Sequence, residues 1–367
     1  MSLKVLLLGD YSNCHRTLAT GLRRLGCEVT QASDGSSWMG VDRQIDIRRK
    51  PGRLNGLTYF MRWLAGDLRQ LAKGYDVVAI HDLNFIHLRP ERLRPLLRRI
   101  KRENGSLFLT AMSTDKAYLD MVAPPSSPLR YSEWFIGNEK SPYNLGNPGG
   151  WEQWHSPELQ KYHSEALAML DGAVSVLYEY HLGIERALGK EKVAYGGIPI
   201  DTSLFEPVEL KPKTPVKLFL GRDRYRKLMK GSDLLEQAAL RVKGAELDIV
   251  ENLPFNEFVG RLRSADIVLD QIYSYTPATT ALMAMAYGLP TVSGGEPEFY
   301  DFIGETDNRP IINAPIELEA LTATLQQAVD SPEALIERGR QSREFVIKHN
   351  DCEVVAKRFL DFWTSRL

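Results

Sequence analysis

The sequence predicts an α/β protein with two doubly wound parallel sheets. Short apolar segments alternate with amphipathic helical segments between residues 4 and 195, and the same alternation starts again at residue 216. Such alternation is typical of βαβ units. A chain of 367 residues is also long for a single hydrophobic core, so two domains are expected.

The first domain is predicted to span residues 1–200. Its first strand, residues 4–9, leads into a loop that lacks the G-x-G-x-x-G spacing of a dinucleotide site, so an NAD site is not supported. His81 falls at the carboxyl end of the strand at residues 76–81, where open α/β sheets bind ligands. The alternative is that His81 is structural.

One region of this domain interrupts the alternation. Residues 113–156 are rich in Pro, Gly, Asn and aromatic side chains and show no clear period. A stretch of this length predicts a functional loop or lid. Its tryptophans are candidates for stacking on a sugar, or they pack the loop onto its own domain.

The second domain is predicted to span residues 201–348, and its start includes the Lys- and Pro-rich boundary segment 209–215. Residues 349–367 are predicted to form a helix that crosses back to the first domain. Apolar side chains at helical spacing on one face, including Phe359 and Trp363, must cover an apolar surface.

The most informative stretch is residues 270–299, which reads as a strand end, a loop, a helix, a short strand and a glycine turn followed by acids. Thr279 and Thr280 are predicted to cap the helix. A helix N-terminus suits a phosphate, and the acids Glu296 and Glu298 can accept hydrogen bonds from hydroxyls. This combination favours a nucleotide-sugar site.

Charge and cysteine content narrow the classes of partner. The net charge is −1, but residues 1–120 are basic and the rest is acidic. The basic residues around 43–53 and 89–102 are either a solvated face or a contact with an anionic membrane surface. No nucleic-acid-binding motif appears.

Three scattered cysteines and an opening apolar run too short for a signal peptide predict a cytoplasmic protein.

Four segments of the second half match a known family. They are residues 197–207 (GIPIDTSLFEP), residues 220–222 (LGR) with 230–235 (KGSDLL), residues 264–269 (SADIVL), and residues 284–292 (AMAYGLPTV). In this order they resemble the retaining family-four glycosyltransferases. The resemblance implies two Rossmann-like domains that face a cleft, the GT-B fold, and transfer of a sugar from a nucleotide-sugar to an acceptor hydroxyl.

The resemblance also implies the site residues. Arg222 and Lys230 are similar to the family's cationic pair, which would neutralise the diphosphate leaving group; the alternative is a solvated basic cluster with Arg224, Arg226 and Lys227. His81 is the third candidate for a catalytic role. The donor-binding candidates are Glu251, Asn252, Leu253, Tyr275, Thr276, Thr279, Thr280, Gly294, Gly295 and Glu298. The acids after the glycine pair could equally cap the next helix.

The sequence departs from the family's pattern at the donor site. The family carries two glutamates eight positions apart, and this chain has Tyr275 and Met283 there. The family's histidine at the end of a T-x-H strand is also absent, because Thr110 and Ala111 are followed by Met112. The contacts with the donor sugar and with the ribose are therefore expected to differ.

Three functions fit these residues. The first is a glycosyltransferase with a glycan, lipid-linked or small-molecule acceptor, without a metal or a further cofactor, because cationic side chains can balance the diphosphate and no D-x-D pair occurs. The second is a non-catalytic relative that binds a nucleotide or a partner protein without turnover. The third, a sugar-nucleotide epimerase, lacks recognisable catalytic acids.

Overall fold

The structure, a computed structural model, describes residues 2–35, 43–211, 214–223 and 227–367. Residues 212 and 213 of the predicted boundary segment therefore lie outside the described residues. The strands are β1 (Lys4–Leu8), β2 (Glu28–Ser33), β3 (Ile45–Asp46), β4 (Val77–Ile80), β5 (Ser106–Ala111), β6 (Phe135–Ile136), β7 (Glu139–Lys140), β8 (Gly172–Ser175), β9 (Val193–Tyr195), β10 (Val216–Arg222), β11 (Ala245–Glu251), β12 (Ile267–Leu269), β13 (Thr291–Ser293) and β14 (Ile312–Asn313).

The helices follow the predicted alternation. They are α1 (Cys14–Arg24), α2 (Arg53–Ala65), α3 (Asp67–Leu71), α4 (Pro90–Glu103), α5 (Lys116–Val122), α6 (Pro142–Gly146), α7 (Gly150–Trp154), α8 (Pro157–Met169), α9 (Tyr178–Leu188), α10 (Lys227–Lys230), α11 (Ser232–Ala239), α12 (Phe255–Leu262), α13 (Thr279–Ala286), α14 (Pro297–Phe302), α15 (Leu318–Val329), α16 (Pro332–Asn350) and α17 (Cys352–Thr364). Among the helices described, none is both long and apolar enough to cross a membrane.

The chain forms two compact units. The first unit consists of Met1–Met121, Gly149–Pro199 and Cys352–Leu367, and the second unit consists of Val122–Pro148 and Ile200–Asp351. Helix α17 packs on α1 within the first unit, and Gly21 is needed there because a Cβ at this position would lie 2.1 Å from the carbonyl oxygen of Cys352.

The first unit contains a seven-stranded parallel sheet in the order β3-β2-β1-β4-β5-β8-β9. The order reverses between β1 and β4, as in a Rossmann fold. Leu6 and Leu8 pack in one apolar cluster, while Val5 and Leu7, which point to the opposite face, are also fully buried. Both faces of this sheet are therefore covered.

The second unit contains a five-stranded parallel sheet in the order β11-β10-β12-β13-β14. Its order reverses between β10 and β12, which is the other common doubly wound arrangement. Leu218 and Leu220 belong to an apolar cluster on one face, and Phe219 belongs to a second cluster on the other face. The predicted fold class, α/β with two doubly wound sheets, is confirmed.

Two segments differ from their predicted secondary structure. The helix predicted at residues 54–73 is divided into α2 and α3, because the backbone of Gly66 is extended (φ −104°, ψ −154°). The predicted loop at residues 113–156 contains α5, the β6–β7 hairpin, α6 and α7. Aromatic side chains of this region pack locally, and the rings of Trp134 and Tyr143 meet edge-on at 5.0 Å between centroids.

Candidate functional site

Polar residues terminate the strands of the second unit's sheet at one edge. In sheet order they are Glu251 at the end of β11, Arg222 at the end of β10, Asp270 directly after β12, Ser293 at the end of β13 and Asn313 at the end of β14. Because the strands are parallel, all five lie at the carboxyl edge, and the first three bracket the point where the strand order reverses. Ligands of open α/β sheets bind at this position.

Arg222 is held by two carboxylates. Its Nε donates to Oε1 of Glu251 on the neighbouring strand, and its Nη1 donates to Oε2 of Glu236 on α11. All three side chains are partly exposed, at 22% for Arg222, 35% for Glu251 and 30% for Glu236. The two carboxylates therefore fix the guanidinium at the mouth of the carboxyl edge without removing it from solvent.

Lys230 is joined to a buried carboxylate that the sequence analysis did not single out. Its Nζ lies 2.8 Å from Oδ1 of Asp270, whose side chain is 1% exposed. The other oxygen of Asp270 accepts from the amide of Ala278 (3.3 Å) and from Oγ of Ser293 (3.2 Å). Asp270 thus connects the lysine to the start of α13 and to β13. An acidic residue directly after a buried strand was the signal that could have found it.

The glycine after Lys230 has a local reason. Gly231 adopts φ +69°, and a Cβ there would lie 2.3 Å from Cγ1 of Ile272. The amide of Ile272 donates to the carbonyl of Lys230 (3.0 Å). The Lys-Gly pair therefore lets α10 approach the loop after β12 closely enough for the lysine to reach Asp270.

Helix α13 begins one residue earlier than a cap at Thr279 requires. Ala278 occupies the N-cap position and makes no side-chain capping bond, while Thr279 and Thr280 are the first two helical residues. The prediction that these threonines cap the helix is therefore wrong. Both are half-buried, and the first-turn amides have no partner within the helix. The N-terminus stays suited to an anion.

Tyr275 and Thr276 are buried in the loop before α13. The hydroxyl of Tyr275 accepts from the amide of Arg130 (2.7 Å), and its ring stacks on Tyr131 at 4.9 Å between centroids. The carbonyl of Thr276 accepts from Ser274 Oγ (2.9 Å). Tyr275 stands where the family has a glutamate, and in this chain the position anchors residues 122–148.

The segment after β13 completes this cluster. Glu296, buried and at the N-cap of α14, accepts from Arg130, from the hydroxyl of Tyr131 and from Nδ2 of Asn313 (2.9 Å). Glu298 is in the first turn of α14 and lies 3.2 Å from Arg130 Nη2.

The glycine pair before these acids is closely packed. A Cβ on Gly294 would lie 2.1 Å from the carbonyl oxygen of Ser274, and one on Gly295 would lie 2.8 Å from Ile311. The amide of Gly295 donates to Oδ1 of Asn313 (3.0 Å). Packing alone therefore excludes side chains at both positions.

The remaining predicted donor-site positions, at residues 251–253 and 283, differ in exposure. Glu251 and Asn252 are exposed, with Asn252 in a left-handed conformation (φ 52°), and Leu253 is half-buried against the apolar cluster around Phe219. Met283 belongs to the same cluster and is 8% exposed. The position that carries the family's second glutamate therefore faces an apolar core. Residues 224–226, part of the alternative solvated cluster, lie outside the described residues.

The first unit has a corresponding edge, where Asp10 follows β1 and His81 follows β4. A Cβ on Gly9, which adopts φ +80°, would overlap the ring of His81 at 1.8 Å, so the two strand ends approach closely. His15 lies between them, with Nδ1 2.7 Å from the carbonyl of Gly9 and Nε2 2.9 Å from Oγ1 of Thr110. The rings of His15 and His81 meet edge-on at 6.5 Å.

Burial shifts the pKa values of Asp10, His15 and His81 toward the uncharged forms. It raises the pKa of Asp10 to about 7, although the amides of His15 and Arg16 donate to the carboxylate. Burial also lowers the pKa of His15 to about 3 and lowers that of His81. Near neutral pH both histidines are therefore uncharged.

A second group of polar residues lies beside His81. Oδ2 of Asp82 accepts from Ser113 Oγ (2.6 Å), and Oδ1 of Asp115 accepts from the amide of Tyr118 (2.9 Å). His163 on α8 is fully buried, and its Nε2 has no hydrogen-bond partner among the described residues. Burial raises the pKa of Asp115 to about 7 and lowers that of His163 to about 4. The sequence carries no motif for His163.

Within the described ranges, no group of three or more His, Cys, Asp or Glu side chains is placed to hold a metal ion. Positively charged groups at the carboxyl edge of the second unit include the side chains of Arg222 and Lys230, beside the start of α13.

Comparison with known proteins gives the fold. No family model and no curated protein matches this chain. Among solved structures, sucrose-phosphate synthase from Thermosynechococcus elongatus is similar with a TM-score of 0.67 at 14% identity, covering 99% of this chain and 98% of that one.

Two ligand-bound structures are also similar. Anabaena HepE in complex with UDP and glucose gives a TM-score of 0.61 at 12% identity, with 99% and 100% coverage. The catalytic domain of Arabidopsis thaliana starch synthase IV bound to ADP and acarbose gives 0.62 at 12% identity, with 100% and 99% coverage. The chain therefore has the two-Rossmann-domain GT-B fold of these glycosyltransferases.

Proposed function

We propose that this protein is a glycosyltransferase that moves a sugar from a nucleoside-diphosphate sugar to an acceptor hydroxyl. The observation that carries the proposal is the arrangement at the carboxyl edge of the second unit. Arg222 and the Asp270-bound Lys230 bracket the reversal of strand order beside the N-terminus of α13. Two cations and first-turn helix amides, which have no partner within the helix, are groups that bind a diphosphate.

The proposed donor contacts follow from this arrangement. Arg222, Lys230 and the amides of Thr279 and Thr280 bind the diphosphate. We assign the backbone at residues 251–253 to the base, and Glu298, which pairs with Arg130, to the donor sugar. As the glycosidic bond breaks, negative charge grows on the leaving diphosphate, and positioned cations stabilise that charge.

The absence of the family's two glutamates fits a mechanism with retention that needs no enzymic nucleophile. Met283 lies in an apolar cluster and Tyr275 is hydrogen-bonded to Arg130, so neither supplies a carboxylate. In the proposed reaction, an oxygen of the departing phosphate takes the acceptor proton on the same face of the sugar. We expect no metal requirement, and turnover should survive EDTA.

On the acceptor side we propose the edge of the first unit. Neutral His81 and the carboxylate of Asp82 can orient a hydroxyl by hydrogen bonding. Neither is a cation that would compete with Arg222 and Lys230 for the diphosphate. We assign acceptor binding to the first domain, residues 1–200. A glycan, a lipid-linked glycan and a small aglycone all present such a hydroxyl, so the proposal includes each of them as the acceptor.

A non-catalytic nucleotide-binding protein is the second candidate, and Met283 and Tyr275 are the observations that favour it. A panel of UDP-, GDP- and ADP-sugars separates the two. A transferase should release nucleotide from one of these donors, by transfer when acceptor is added or by hydrolysis when it is not. This release should be lost when Arg222 is replaced. Nucleotide binding by calorimetry without release from any donor of the panel would support the binding protein instead.

A further inference from the structure

Helix α2 of the first unit presents an apolar face to solvent. Its inner face carries the buried Gly56, Tyr59 and Trp63. On the opposite side, Leu54 is 82% exposed, Leu57 is 49% exposed and Met61 is 47% exposed. Their spacing of three and four residues places these three side chains, which we call the outer stripe, in one row along the helix.

Basic residues border the outer stripe. Lys50 and Arg53, directly before and at the start of α2, are exposed and have no ion-pair partner among the described residues. Along one side of the stripe, the guanidinium of Arg92 lies over the ring of Phe60 at 5.6 Å. An apolar helix face with a cationic border is the pattern of a helix that lies in a membrane interface.

The arginine-rich helix α4 is one of the two basic clusters that the sequence suggested for this role, and it is largely used inside the unit. Arg94 pairs with Glu165 at 2.6 Å, Lys101 pairs with Asp171, and Arg99 donates to the carbonyl of Leu64. These cations stabilise the packing of α4 on its neighbours. The unpaired charge next to an exposed apolar surface lies instead at the start of α2.

We propose that α2 binds an anionic lipid surface, with the outer stripe inserted at the level of the headgroups and Lys50 and Arg53 in contact with acidic lipids. Charge decides between this partner and a second copy of the chain. A two-fold contact through the stripe would bring the same cations together, whereas acidic lipids neutralise them. Three side chains also bury far less than the roughly 800 Å² per partner of a stable protein interface.

Vesicle sedimentation tests the proposal with the full-length protein. Neutral phosphatidylcholine vesicles are compared with vesicles in which about a third of the lipid is phosphatidylglycerol. Wild type should bind the anionic vesicles, more weakly as salt is raised, since the Debye length is about 8 Å at physiological ionic strength.

Two variants separate the apolar from the charged contribution. Leu54→Ser/Leu57→Ser/Met61→Ser should lower binding to anionic vesicles at least about tenfold, because each lost side chain removes buried apolar area. Its control, Leu240→Ser/Phe255→Ser/Ile336→Ser, alters three comparably exposed residues of the second unit and should bind as wild type does.

Lys50→Glu/Arg53→Glu should remove most of the salt-dependent part of binding. Its control, Lys161→Glu/Lys190→Glu, makes the same change of charge at two other exposed sites of the first unit. Circular dichroism and the thermal midpoint of each variant establish that it is folded.

Three results would overturn the proposal. One is wild-type protein that does not sediment with anionic vesicles, and another is stripe variants that bind them as tightly as wild type. The third is a concentration-dependent dimer that the stripe variants abolish, which would make a second copy the occupant. The assay contains no sugar donor, so its outcome is independent of the proposed glycosyl transfer.

Discussion

The two sheets carry different chemistry at equivalent places. At the reversal of strand order in the second unit, Arg222 and Lys230 are ion-paired with carboxylates. At the corresponding place in the first unit, His15 and Asp10 are buried, and burial shifts both pKa values toward the uncharged form. The edge of the second unit therefore keeps charged side chains, which are ion-paired. The edge of the first unit buries the ionisable side chains of Asp10 and His15, and burial shifts their pKa values toward the uncharged forms.

This difference suggests that the two edges suit different ligands. Arg222 is paired with two partly exposed carboxylates and can exchange one of them for a phosphate at small cost, which suits a diphosphate ligand. A neutral edge with hydrogen-bonding groups suits a hydroxyl, whose proton must leave during transfer. Under the proposed function, the two doubly wound sheets bind different ligands at equivalent places, a polyanion in one unit and a hydroxyl in the other, depending on the few residues that follow each strand.

The largest effect is expected from breaking the pair at the charged edge. Lys230→Met leaves the buried Asp270 without its cation and should lower the free energy of unfolding of the second unit by about 3 kcal/mol. Urea unfolding followed by hydrogen exchange of peptides from residues 227–293 measures it.

Two control variants test whether the loss of stability comes from the unpaired carboxylate of Asp270. Lys227→Met, at the exposed start of the same helix, should have little effect. The double variant Lys230→Met/Asp270→Asn should recover most of the loss, since no unpaired carboxylate remains. A single variant as stable as wild type would mean that Asp270 does not depend on the lysine.

Tyr275→Phe tests whether this position anchors the chain or contacts the donor. It removes the oxygen that accepts from the amide of Arg130, so unfolding of the second unit should become easier by about 1–2 kcal/mol. Hydrogen exchange in residues 122–148 should rise. Tyr273→Phe is the matched control. Unchanged stability together with lost donor turnover would instead make Tyr275 a donor-binding residue.

Asp115→Asn tests the neutral edge. With its pKa raised to about 7 by burial, folded Asp115 keeps a proton that the unfolded chain releases near pH 4. The folded state binds more protons in this window, so stability falls by about 1 kcal/mol per pH unit as pH rises from 4 to 7.

The asparagine variant should lack this contribution and retain the acceptor for the amide of Tyr118. Its thermal midpoint relative to wild type should therefore increase between pH 4.5 and 7.5. Asp120→Asn serves as the control at an exposed carboxylate of the same helix. A difference that stays constant with pH would show that Asp115 is already ionised in the folded protein.

Glu251→Gln should have the smallest effect. Glutamine has no charge, so it competes less than the Glu251 carboxylate with phosphate for Arg222. The substitution leaves unchanged the backbone that is proposed to contact the base. The affinity for a nucleoside diphosphate should rise by no more than about 0.5 kcal/mol, as for a partly exposed ion pair. A marked loss measured by calorimetry would show that the carboxylate itself contacts the nucleotide.

Local signals explain what the sequence could predict. The alternation of strands and helices follows from side-chain periodicity, and the Gly-Arg and Lys-Gly pairs mark tight positions such as Gly231 at φ +69°. The fold class and the candidate cations followed from these signals.

Long-range contacts explain what the sequence did not reveal. Arg130 and Glu296 are 166 positions apart, and no periodicity indicates that residues 122–148 pack against the glycine turn after β13. The sequence placed His81 at the edge of the first unit, but Asp115 and His163 were missed for the same reason, because their burial depends on several distant elements. The helix caps failed because Ala278, bound to Asp270, takes the position predicted for a threonine.

The central claim is that a nucleoside diphosphate binds at Arg222 on the second unit. Calorimetry with UDP, GDP and ADP on wild type, Arg222→Ala and the control Arg261→Ala, an exposed arginine paired with Asp248 of the same sheet, tests it most directly. The account predicts that the nucleotide wild type binds best loses about 1.5–3 kcal/mol of binding free energy in Arg222→Ala and none in the control. Equal affinity of wild type and Arg222→Ala, or no binding of any of the three nucleotides to wild type, would contradict it.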